Sequence, residues 1–135
     1  MRLDEAACRA RVAAARVGRL ATVDADLRPH LVPVTYAVHG DSLFVAVDQK
    51  PKTTTALKRL RNIAAHPDVA VLVDEYDEDW THLWWVRVDG VARVVTEDAA
   101  AVELLVAKYP QYDADPPRGP VIEIRAGRWS GWAFG

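Results

Sequence analysis

Five cations stand within residues 49–67, QKPKTTTALKRLRNIAAHP, and no acidic residue stands among them. Lys50, Lys52, Lys58, Arg59 and Arg61 give this stretch a formal charge of +5 in a chain whose total is −2. Thr53 or Thr54 is placed to cap a helix over about 54–65, in which Leu57, Leu60 and Ala64 form the buried stripe. The orphan N–H groups and dipole of that helix start, with lysines on both sides of the cap, converge on one point and suit a phosphate. Arg59 and Arg61 extend the positive surface towards a longer anionic tail. A solvated basic face has the same charge count. The coincidence of the cations with a strand-to-helix junction favours the anion site. No GxGxxG or P-loop sequence occurs, so this is not a Rossmann or NTPase phosphate site.

Other chemistry-bearing residues give weaker signals. The run Asp74-Glu75-Tyr76-Asp77-Glu78-Asp79 lacks calcium-loop spacing and reads as a solvated hairpin loop. His30, His39, His66 and His82 are scattered without HExxH or paired zinc spacing, so no metal is expected. The single cysteine, Cys8, has no partner for a disulfide or thiolate metal site and fits a reducing, cytoplasmic setting. No Ser/His/Asp or Cys/His set suggests a covalent nucleophile. Tyr36 is a conceivable proton donor, but its alternation with valines favours buried packing. Trp80, Trp84, Trp85, Trp129 and Trp132 suit a barrel core, a subunit interface or the apolar wall beside a planar ring.

These residues need a frame. A length of 135 residues, half of them apolar, supports one domain over 1–135 with a real core. The net charge offers no global attraction to nucleic acid or anionic membrane, and neither a secretory signal nor a membrane-spanning run is visible. Arginine outnumbers lysine 13 to 4, a compositional hint of a GC-rich genome. Asp4 is expected to cap a helix over about 4–16, with Ala7, Ala10, Ala14 and Val17 at helical spacing and Gly18 ending it. Three β-rich runs follow, Arg19–Val23, His30–Val38 and Ser42–Val47, as an antiparallel meander. In the second run Val32, Val34, Tyr36 and Val38 share one face and Leu31, Pro33, Thr35 and Ala37 the other, and both faces are expected to be covered. Pro33 belongs at a bulge or an unpaired edge, where backbone is available to a ligand. After the basic helix come strands Val69–Asp74 and Thr81–Val95, a helix over about 97–108 capped by Thr96, a Pro-rich loop and a last strand from Val121 to about Trp132. Six strands with short helices and no βαβ repeat point to a mainly β, six-stranded, closed or nearly closed antiparallel barrel.

The stretches GRLATVDADLRPHLVPVTYAVHGDSLFVAVD and LKRLRNIAAHPDVAVLVD resemble the pyridoxamine-phosphate-oxidase-like, or flavin/deazaflavin oxidoreductase, superfamily. The first is similar to its G-x-L-A-T and x-P-x-x-x-P-V-x-Y strands, the second to its R/K-x-x-N-I-x-x-x-P-x-V helix-to-strand signature. KPKTTTALKRLRNI with DEYDEDWTHLWWVRVDGVA resembles an actinobacterial subgroup described as F420-dependent. The resemblance implies an FMN-binding-type split β-barrel and a homodimer with the cofactor at the subunit interface. By the same resemblance Pro33, Val34 and Thr35 line the cofactor ring through backbone groups, and Lys58 and Arg59 meet its phosphate. Lys50, Lys52, Thr53 and Thr54 occupy a stretch longer than the common family pattern, and their chemistry suits a polyanion. Trp132, near the chain end, reaches a partner's site.

The expected function is hydride transfer between deazaflavin F420 and an unidentified small organic substrate, with no catalytic side chain assigned. F420 carries a phosphodiester and an oligoglutamate tail, whereas FMN ends in one phosphate, so the +5 stretch favours F420. The alternatives are an FMN-dependent oxidase or reductase of the same fold, or a non-catalytic protein that binds F420, haem or another tetrapyrrole. Because the cofactor carries the redox chemistry, the lack of an acid–base motif does not count against an enzyme.

Overall fold

The structure, a computed structural model, describes residues 1–47 and 54–135. Its elements are β1 (Arg2–Leu3), α1 (Glu5–Ala14), β2 (Gly18–Val23), β3 (Pro29–Val34), β4 (Tyr36–His39), β5 (Ser42–Ala46), α2 (Thr54–Ala65), β6 (Asp68–Glu75), β7 (Trp84–Val95), α3 (Ala99–Lys108), α4 (Gln111–Ala114) and β8 (Val121–Ala133). The strands form one antiparallel sheet in the order β3-β2-β6-β7-β8-β5-β4, with β1 paired to β8. The sheet's two end strands, β3 and β4, are consecutive in the chain and separated only by Thr35. The sheet therefore curls round on itself, joined by covalent chain where a closed barrel would have hydrogen bonds. This is a split barrel of mainly β class, as the sequence led us to expect.

The strand count differs for a local reason. The run His30–Val38 is two strands, because Thr35 leaves the ladder: its carbonyl accepts from Ala46 N–H at 3.3 Å and its hydroxyl lies 2.7 Å from the Tyr112 hydroxyl. With β1 added, eight strands replace the expected six. Period-2 alternation decides which side chains enter the core. Val71 and Val73 of β6 and Val86 and Val88 of β7 are fully buried, and they meet Leu20, Tyr36, Leu43 and Ile124 from the strands around them. Each buried valine contributes roughly 1.5–3 kcal/mol by leaving water.

The two faces of the His30–Val38 run are not both covered. Val34 and Tyr36 point into the core, but Leu31 is 67% exposed and Pro33 is exposed beside it. Beyond Thr35 the outer face is covered, since Ala37 and Ala46 pack with Leu105 and Tyr109 of the α3 region in a small second core. The barrel is thus clothed over β4 and β5 and bare over β3.

The helices form where expected but present other faces. In α1, capped by the Asp4 carboxylate on Ala7 N–H at 2.8 Å, the buried residues are Cys8 and Val12, one turn apart, while Ala10, Ala14 and Val17 are exposed. The helix ends at Ala15, and Gly18 opens β2 instead of stopping α1. Among the described side chains of α2, Arg59, Asn62 and Ile63 are buried, Leu60 is half-buried and Ala64 exposed, while Leu57 lies outside them. The cap of α3 is Asp98, which accepts from Ala101 N–H at 3.0 Å, so the helix starts two residues later than a Thr96 cap implies. The acidic run ends in a single 3-10 turn, Trp80–His82, capped by Asp79.

Candidate functional site

Two groups of residues stand at the two ends of β3. At the first, His30 lies opposite Thr22 of β2. Thr22 is buried and its hydroxyl accepts from the Asn62 amide of α2 at 3.1 Å, which ties the helix to the barrel at this point. One turn earlier in α2 stands Arg59, only 8% exposed, and beside it the exposed Lys58. Burial, then the charges of Lys58 and Arg59, push the His30 imidazole below its ordinary pKa. His30 is therefore neutral at pH 7, and its Nδ1 is buried without a hydrogen-bond partner. An imidazole within the electrostatic reach of two cations, with a ring nitrogen left unpaired, stands where an anion is electrostatically welcome. An anionic group of a cofactor fits this chemistry.

At the other end of β3 stands the run Pro33-Val34-Thr35. β3 is a terminal strand of the sheet, so Pro33 sits in an edge strand as its missing N–H requires. Val34 is buried, and its backbone together with that of Thr35 marks the split between β3 and β4. Five residues separate His30 from Thr35, which at the rise of an antiparallel strand is about 16 Å. The two ends of β3 thus lie within reach of one elongated ligand along an open edge.

Around Thr35 the sequence conceals a third group of residues. The Tyr109 hydroxyl accepts from Tyr36 N–H at 3.1 Å and lies 2.9 Å from the Arg16 carbonyl and 3.0 Å from the Tyr36 carbonyl. Lys108 Nζ donates to the Tyr36 carbonyl at 2.9 Å and stands 4.0 Å from the centre of the Tyr36 ring. Arg16, Lys108, Tyr109 and Tyr112 are far from Thr35 in sequence, and no motif joins them. Tyr36 itself is fully buried, and its hydroxyl donates to the Val12 carbonyl at 2.5 Å, at the end of α1. Buried and with its hydroxyl committed to the Val12 carbonyl, it packs in the core and ties α1 to the barrel; burial raises its pKa strongly.

Of the residues singled out in the sequence, Lys58 and Arg59 meet at the His30 end, and Pro33, Val34 and Thr35 at the split. Thr54 is the first residue of α2, while Lys50, Lys52 and Thr53 lie outside the described residues. Trp132 is not brought to either cluster within one protomer. It pairs across β8 with Trp85 of β7 and Arg2 of β1, and lines a cleft of about 390 Å³ with them. His30 was missed, although it extends the Val32/Val34 face by one more step of two and so points inward. Among the described residues, no helix is long and apolar enough to cross a membrane.

Comparison with known proteins agrees with this architecture. A conserved hypothetical protein of Mycobacterium tuberculosis, Rv2991, is 27% identical with a TM-score of 0.75, over 97% of this chain and 85% of its own. A FAD-binding protein of Mesorhizobium loti is 25% identical with a TM-score of 0.73, over 97% and 93%. A heme binding protein of Mycobacterium smegmatis, 22% identical with a TM-score of 0.68 over 93% of this chain and 56% of its own, shares the fold. A search of proteins of curated function finds no match. The family pattern described as pyridoxamine 5'-phosphate oxidase matches residues 4–133, which is nearly the whole chain. Together with the split barrel, this match shows that the chain belongs to the pyridoxamine 5'-phosphate oxidase family.

Proposed function

We propose that the chain is an F420-dependent oxidoreductase that acts on a small organic substrate as a homodimer. The observation that carries this reading is the cationic group at the His30 end of β3. Lys58 and Arg59 stand there within electrostatic reach of a neutral imidazole with an unused buried nitrogen. Arg61 and, in the sequence, Lys50 and Lys52 continue the positive charge. More cations than one phosphate needs favour a cofactor with a phosphodiester and a charged tail.

In this reading Lys58 and Arg59 hold the phosphate, and the Lys50–Thr54 stretch and Arg61 attract the tail. Pro33, Val34 and Thr35 orient the ring through backbone groups on the open edge. When bound, the deazaflavin supplies the hydride chemistry, and the chain supplies position and charge. The bare outer face of β3, β2 and β6, with Leu31 67% and Leu72 39% exposed, supports a homodimer. In such a dimer Trp132 of one protomer is free to reach the other's site, a role it has no geometry for within its own chain.

A second reading, a flavin in place of F420, is favoured by the likeness to the FAD-binding protein of Mesorhizobium loti. Titration with F420, FMN and FAD, followed by intrinsic tryptophan fluorescence, separates the two. F420 is expected to bind tightest, and tighter binding of FMN or FAD would reverse the order. The near-complete burial of Arg59 guides the mutational test, because truncating it endangers the fold. Lys58→Ala with Arg59→Lys is expected to weaken cofactor binding tenfold or more, about 1.4 kcal/mol. Unchanged affinity in a folded variant would remove these residues from the site.

A further inference from the structure

The described surface holds another cleft, of about 450 Å³, between the end of α1, Thr35 and the α3–α4 junction. Val17, Pro110 and the rings of Tyr109 and Tyr112 make its apolar walls, and Arg16, Thr35 and Gln111 bring polar groups to it. The two tyrosine rings meet edge to face, with centroids 5.6 Å apart, and so hold a rigid apolar corner.

The charges here are one-sided. The Arg16 guanidinium stands 5.8 Å from the Tyr109 ring centre and Lys108 Nζ 5.2 Å from it. Among the described residues, neither cation has a carboxylate within ion-pair distance. Arg16 uses one arm, Nη1, on the Lys108 carbonyl. Two like charges gathered at an apolar cleft with no counter-charge leave the place of an anion open. Burial, and then the nearby Arg16 charge, lowers the Lys108 pKa to about 8.

Hydrogen-bond counting agrees. The Thr35 and Tyr112 hydroxyls are 2.7 Å apart and share one hydrogen. Whichever donates to the other, one hydroxyl hydrogen remains to be given away. The cleft therefore offers a guanidinium and a free hydroxyl hydrogen, both donors, beside ring-sized apolar walls.

We propose that this cleft binds a small carboxylate with a flat apolar body, with Arg16 pairing to the carboxylate and the Thr35–Tyr112 hydroxyl pair donating a hydrogen bond. Lys108 adds positive potential without lining the cleft. Binding is independent of any cofactor. That such a carboxylate is the hydride acceptor rests on the proposed function, since Thr35 would then face both ligand and cofactor ring.

The test uses the full chain without added cofactor, with benzoate and its neutral analogue benzamide as probes, read by amide chemical-shift perturbation. Benzoate is expected to shift Val17, Thr35, Gln111 and Tyr112 and to bind at least about tenfold tighter than benzamide. Arg16→Gln is expected to remove that preference. Because Arg16 also bonds the end of α3, Thr35→Val with Tyr112→Phe serves as the second variant: it removes both hydroxyl hydrogens and is expected to weaken benzoate several-fold. Equal affinity for the two probes, perturbation elsewhere, or full benzoate affinity in both variants overturns the proposal. Repeating the F420 titration on Arg16→Gln distinguishes this cleft from the cofactor site: retained F420 affinity with the benzoate preference lost supports two separate subsites. Failure of F420 to bind the native chain, with benzoate still bound, sinks the cofactor reading alone.

Discussion

Lys108 links stability to pH in a way that can be worked out from the structure. Its ammonium is half-buried, packed on Tyr36 and beside Arg16, and its pKa is lowered from 10.5 to about 8, first by burial and then by the Arg16 charge. Lowering this pKa from 10.5 to about 8 corresponds to roughly 3 kcal/mol, which partial solvent access reduces to about 1–2 kcal/mol. The sign follows from proton counting. Below pH 8 both the folded and unfolded chains carry the ammonium, and the folded state bears the whole penalty. Between about 8 and 10.5 the folded chain has lost the proton and the unfolded chain keeps it, so stability rises with pH across this window. Above 10.5 the penalty is gone. Lys108→Met keeps most of the apolar stem and removes the titrating group. Urea unfolding of both proteins at about pH 7 and about pH 10 should show native stability gaining about 1–2 kcal/mol relative to the variant. Taking the difference matters, because the raised pKa values of Tyr36 and Tyr109 lower stability at high pH in both proteins alike. A difference that stays flat with pH would refute the reasoning, and a Lys108 side-chain titration near 10.5 by NMR would explain the failure.

Two further predictions concern the frame. Tyr36→Phe deletes a buried hydroxyl that bonds the Val12 carbonyl at the end of α1 without opening a large cavity, and should cost about 1–3 kcal/mol in thermal unfolding; a change below about 0.5 kcal/mol would mean that α1 ends without it. Gly131→Ala places a Cβ 2.7 Å from the Trp85 carbonyl of the paired strand and 3.0 Å from Val86 Cγ2, so β7 and β8 must separate. A loss of about 1–3 kcal/mol or more is expected, and a near-native melting temperature would show that the strands yield at little cost.

Much of this was legible in the sequence, and the exceptions share a cause. Strand positions held to within a few residues for β2, β5, β6 and β8, because each is a short run rich in apolar and β-branched residues bounded by turn or breaker residues. The helix spans held also, but not their faces. Small residues at helical spacing in α1 carried no information about which side meets the barrel, and Cys8 with Val12 won because they are its larger apolar pair. In α2 the sequence hid Arg59 and Asn62 in the buried set, since a polar side chain is buried only where another element offers it a partner. The break at Thr35 was invisible for the same reason: it depends on Ala46 and Tyr112, which only the folded chain brings there.

The sequence by itself determined the class of fold, the family pattern and the concentration of positive charge at a helix start, since periodicity, turn residues and formal charge are local quantities. Tertiary structure alone decided what surrounds that charge. It brought His30 within the electrostatic reach of Lys58 and Arg59, buried Arg59 while leaving Lys58 exposed, and paired Trp132 with Trp85 and Arg2 instead. It also gathered Arg16, Lys108, Tyr109 and Tyr112 around Thr35. Distance along the chain says nothing about distance through a curled sheet, where the two end strands are neighbours in sequence and the residues that meet at their junction are not.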